Sequence, residues 1–150
     1  MSVMTPAVPV TGTRAANART RDVLSRALVV LVAVYFAASL AHFAHNAEYI
    51  SIYPNMPAWL TREKVYLAWL AVTGVGVAGL GLVRFGLHVL GLAVVSAYGA
   101  LGIDGLAHYT LALCSAHTLA TNATILFEVA SGSTLMLVAA VAATRRATAR

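Results

Sequence analysis

Four times between residues 28 and 143 the sequence holds an apolar run of membrane-crossing length and then breaks into a short polar or basic stretch. A helix needs about 20 such residues to span the hydrocarbon core of a bilayer. Lipid offers no partner to a free peptide N–H or C=O, so a run of this kind spans only as a helix or within a closed barrel. The runs are much longer than barrel strands, and the expected fold is all-α: a four-helix transmembrane bundle. Composition agrees. The chain is 60% hydrophobic and 10% charged, where a soluble domain of this size carries about 25% charged residues. At 150 residues, four spans would use most of the length and leave little for a soluble domain.

The segment 1–21 is rich in Pro, Thr, Ala and Arg without apolar periodicity, and is expected to be a disordered basic tail. A secretory signal peptide is the competing reading, with small residues near Ala37, Ala38 and Ser39. The helical pattern runs straight through that site, which favours a retained helix. The spans are expected at about 22–49, 62–83, 87–109 and 117–143, with a basic C-terminal tail at 145–150. Pro54 and Pro57 forbid a regular helix between the first two spans, and the stretch 50–61 is expected to fold over one end of the bundle as a partial lid. Tyr49, Tyr53, Trp59 and Tyr109 suit a membrane–water interface. Thr61 is a plausible N-cap for the second span. The glycines of that span, Gly74, Gly76, Gly79 and Gly81, suit close helix packing and offer a contact for a homodimer.

Charge sets the expected orientation. Lys and Arg number 10 against 5 Asp and Glu, a net charge of +5. The basic residues cluster in the N-terminal tail, at Arg84 and in the C-terminal tail. Only Arg62 and Lys64 lie in the opposite connections. By the positive-inside rule both termini are cytoplasmic, as in a multi-pass protein of the inner (cytoplasmic) membrane. Basic residues at segment ends serve orientation, so nucleic acid is excluded as a partner. The single cysteine, Cys114, excludes an internal disulfide.

Against this apolar background the polar residues fall in stripes. Tyr35, Ser39, His42, Asn46 and Tyr49 share one face of the first span, with His45 and Glu48 on its flank. Asp104 and His108 are four apart on the third. His117, Thr121, Thr124 and Glu128 form a narrow sector of the fourth, with Ile125, Leu126, Leu135 and Leu137 assigned to an opposite, apolar face. Intramembrane ionisable groups are costly and face a protein interior. Three spans are therefore expected to line one pocket near the extracytoplasmic side. Glu128, roughly 16 Å deeper than His117 at 1.5 Å per residue, most needs a partner.

His42, His45, His108, His117, Asp104 and Glu128 are the candidate metal ligands, with Glu48 a marginal addition. Imidazoles and carboxylates on facing helices suit zinc, iron, manganese or copper. Asp104 and Glu128 are the candidate catalytic acid/base groups of a redox or hydrolytic enzyme acting on a small or lipid-soluble substrate. Three readings compete. A hydrogen-bonded network can fix helix register with no ligand. A pair such as His42 with His108 or His117 could hold haem b. Glu128 could carry protons in a transporter or ligand-binding protein, with the histidines as relay. His88 lies at the cytoplasmic end, apart from all of these.

Overall fold

The computed structural model describes residues 11–149, with side chains from 26 onward. Every regular element among them is helical. Helix α1 spans Thr11–Glu48, α2 Arg62–Arg84, α3 His88–Leu101, the single turn α4 His108–Leu111, and α5 Leu119–Thr148. Four stretches are long and apolar enough to cross a membrane: Arg26–Glu48, Arg62–Arg84, His88–Leu111 and Leu119–Thr148. Each long helix packs on its neighbours in sequence, and α5 closes the ring against α1. The centre is filled by Tyr35, Leu92, Val95, Tyr98, Leu135 and Ala139.

The helix ends follow local chemistry. Thr61 caps α2 by accepting from the Lys64 N–H at 3.4 Å, and Thr118 caps α5 by accepting from the Thr121 N–H at 3.1 Å. At the other end of α2 the Leu87 N–H reaches the Leu82 carbonyl and the Gly86 N–H the Val83 carbonyl. This crossed closure needs a left-handed residue. Gly86 supplies it at φ 85°.

Three boundaries differ from expectation. α1 extends back to Thr11, where three Ala and three Arg among residues 11–21 favour helix. Residues 1–10 of the expected tail lie outside those described. α5 continues through Arg145 and Arg146 to Thr148, where the expected C-terminal tail begins at 145. The third span is not one α-helix. It tightens to a 3₁₀ helix over Gly102–Ala107 before α4.

Glycine spacing accounts for that change. Gly99, Gly102, Gly105 and His108 recur every three residues, the period of a 3₁₀ helix. A Cβ at Gly99 would stand 2.6 Å from the Gly132 carbonyl oxygen, and one at Gly102 2.7 Å from the Tyr35 ring. At Gly105 it would stand 3.3 Å from the Glu128 carboxylate. The third span thus lies backbone-close on α5 along a glycine edge. In α2, Gly76 and Gly79 serve the same purpose against Tyr98 and Val95, while Gly74 and Gly81 face open space.

Candidate functional site

The stripe on α1 faces inward as expected: Tyr35, Ser39, His42 and Asn46 are all buried. Tyr49, one turn beyond, is exposed, and α1 ends beside it. His117, in the connection just before α5 and not on it as expected, and Thr121, Glu128 and Ser131 on α5 are buried. Ile125 and Leu135 are fully buried as well, which corrects their assignment to the opposite face. They belong to the same inward seam, and only Leu126 and Leu137 point away. The α1 helix runs without a break through Ala37–Ser39.

His42 and Glu128 meet where these faces converge. His42 Nε2 stands 3.7 Å from Glu128 Oε2, and Glu128 is 2% exposed. On the far side of the ring, His42 Nδ1 lies 3.3 Å from the Thr124 hydroxyl. That hydroxyl donates to the Thr121 carbonyl at 3.0 Å, so it offers His42 a lone pair. The network therefore puts a proton on Nδ1 and turns the Nε2 side toward the acid. A bare carboxylate opposite a bare nitrogen lone pair is repulsive. One further proton, on Glu128 or on Nε2, is required to join the two.

Tyr53 is the residue that sequence reasoning missed. Assigned there to the interface, it is 4% exposed and descends from the lid among the histidines. Its hydroxyl pairs with His45 Nδ1 at 2.8 Å. Its ring centroid lies 5.1 Å from that of His108, 5.8 Å from His45 and 6.3 Å from His117. Burial raises its phenol to about 12, against the opposing pull of the Thr121 and Thr124 hydroxyls. The one signal for this in the sequence is the lid itself, whose closure needs a side chain that is bulky yet able to hydrogen-bond.

Tyr53 occupies the point at which the imidazoles were expected to meet. His45 is turned to Tyr53 and Tyr49. His117 reaches the His108 carbonyl through Nε2 at 3.4 Å. Asn46 Nδ2 donates to His108 Nε2 at 3.4 Å. His42 and His108 stand edge to face with centroids 5.2 Å apart, which leaves no slot for a porphyrin between that pair. Among the described residues no three His, Cys, Asp or Glu side chains gather as a group able to hold a metal ion. The six proposed ligands thus divide into His42, His108, Asp104 and Glu128 around a cavity, with His45 and His117 behind Tyr53. Glu48 stands apart, accepting from Arg62 and from the Tyr66 hydroxyl at the surface.

A half-open cavity of about 470 Å³ lies between α1, α2, the lid and the third span, with α5 contributing Glu128. Glu128 and His42 line it, with Asn46 and His108 beside them. Phe43, Met56, Trp59, Leu60, Val65 and Val72 supply apolar wall. Asp104 also lines it but is exposed, so it marks the rim. Its expected stacking on His108 assumed an α-helix, in which four residues advance about 40° beyond a full turn. In a 3₁₀ helix they advance about 120° beyond it, which separates the two directions. The lid is tied down by Tyr53, by the Asn55 amide donating to the Leu111 carbonyl at 2.8 Å, and by Lys64 Nζ donating to the Trp59 carbonyl at 2.7 Å.

No family model matches the chain, and no match was found among curated proteins or solved structures.

Proposed function

We propose that this chain is a multi-pass membrane protein whose cavity binds a small lipid-soluble molecule, with Glu128 and His42 exchanging a proton at its polar end. The carrying observation is the cavity of about 470 Å³ in which that pair, together with Asn46, Asp104 and His108, faces a wall of apolar side chains. Ligand pockets combine apolar lining with a few convergent polar groups in this way. A carboxyl group this deep in a bundle is a functional signal by default. Four apolar stretches of spanning length support the membrane setting. The distribution of Arg and Lys supports cytoplasmic termini and an extracytoplasmic lid. A network that only fixes register would have no need of the cavity.

The test is binding of 1-naphthylmethanol to the purified full chain in neutral micelles by equilibrium dialysis, corrected for partition into empty micelles. Saturable binding near one molecule per chain is expected. Ala68→Trp, which fills the cavity wall, should abolish it with unchanged far-UV circular dichroism. Non-saturable partition, or binding unaffected by Ala68→Trp, defeats the reading. Elemental analysis of the same preparation tests the metal alternative. Stoichiometric zinc, iron or copper that disappears in His42→Ala and His108→Ala would replace a lipophile with a metal as the cavity's occupant.

A further inference from the structure

Resting on the cavity reading above, we propose that the molecule bound there is an organic cation: a protonated amine on an apolar body, its ammonium group held by Glu128 and Asp104. The whole chain is basic at net +5, yet the cavity is lined by two carboxylates and no Lys or Arg. The basic residues nearest in sequence to the lid are engaged elsewhere. Arg62 donates through Nε and Nη2 to Glu48 Oε1 at 2.9 and 2.7 Å. Lys64 donates to the Trp59 carbonyl and lies over the Trp59 ring at 5.5 Å. Neither lines the cavity.

A second observation concerns hydrogen bonding. Glu128 lines the cavity at 2% exposed, and its Oε2 stands 3.7 Å from His42 Nε2, too far for a hydrogen bond. A buried acceptor of this kind calls for a donor. The carboxylate oxygens of Glu128 and Asp104 are acceptors when ionised, and so is His42 Nε2 when neutral. An ammonium group brings three donors and no acceptor, the complement of that set. A carboxylate or phosphate ligand would meet the same groups with no Lys or Arg among the described lining residues to balance it.

Three probes with one aromatic body separate the possibilities: 1-naphthylmethylamine as cation, 1-naphthylmethanol as neutral isostere and 1-naphthylacetate as anion. Equilibrium dialysis at pH 7 against the full chain in neutral micelles should show the amine binding roughly tenfold to a hundredfold tighter than the alcohol, since hydrogen bonds to charged groups carry that much. The acetate should bind weakest. Glu128→Gln should erase the amine's advantage over the alcohol. Asp104→Asn, at the exposed rim where folding is insensitive, should reduce the advantage several-fold. Equal affinities for amine and alcohol, or a preference for the acetate, overturn the cation and leave the cavity reading standing. Failure of all three probes overturns both. An amine preference that survives both substitutions also overturns the assignment.

Discussion

At the scale of single residues, the arrangement turns on where protons sit. With the Thr124 hydrogen on the Thr121 carbonyl, the expected His42 tautomer is the one protonated at Nδ1, and nitrogen-15 spectra of labelled protein should show it. A neutral ring protonated at Nε2 instead would refute the network. Thr124→Val removes the acceptor and should release the ring into mixed tautomers. Tyr53 gives a stability prediction. Its phenol holds its proton more tightly folded, at about 12, than unfolded, near 10. Its contribution to stability is therefore full below pH 10 and is lost as pH rises from about 10 to 12, on the order of 3 kcal/mol. Tyr53→Phe should flatten that part of the unfolding profile, at a cost of about 1 kcal/mol at neutral pH for the lost bond to His45. An unaltered profile would place the phenol outside the buried cluster. The stripes on α1 and α5 were legible because α-helical spacing carried them. Tyr53 was not, because no periodicity governs a proline-bounded loop.

At the scale of elements, glycine decides how closely the third span and α5 approach. Gly132→Ala would put a Cβ 2.6 Å from the Gly99 carbonyl oxygen, where backbone meets backbone. Overpacking of this kind costs about 1–3 kcal/mol, and thermal unfolding in micelles should show a clear loss. Gly74→Ala meets nothing within 4 Å and should be neutral or stabilising by up to about 1 kcal/mol, as alanine favours helix over glycine. Equal effects at the two positions would contradict the crossing described. Four spanning-length helices, the Thr61 cap and the turn at Gly86 follow from runs, caps and breakers that any reader of the sequence can find. The 3₁₀ segment was also written there, as glycines every three residues. It was obscured because an α-helical period was imposed on an apolar run that fits either.

At the scale of the molecule, the ring of α1, α2, the third span and α5 brings residues distant in sequence to one end, and it is this convergence that sequence alone could only assert. Cys114 tests the proposed orientation without any substitution. It is exposed in the connection between α4 and α5, at the end that carries the lid. A membrane-impermeant maleimide should label it on intact spheroplasts expressing the chain; labelling confined to inverted vesicles would reverse the topology. The 3₁₀ stretch has a mechanical consequence for the whole. Its six residues rise about 2.0 Å and turn about 120° each, against about 1.5 Å and 100° in an α-helix. Rewinding them would draw the span in by about 3 Å and swing everything beyond by about 120°, carrying His108 off the wall it now helps to form. The cavity's shape is thus tied to the winding of a single strut, and whatever sets that winding sets the aperture.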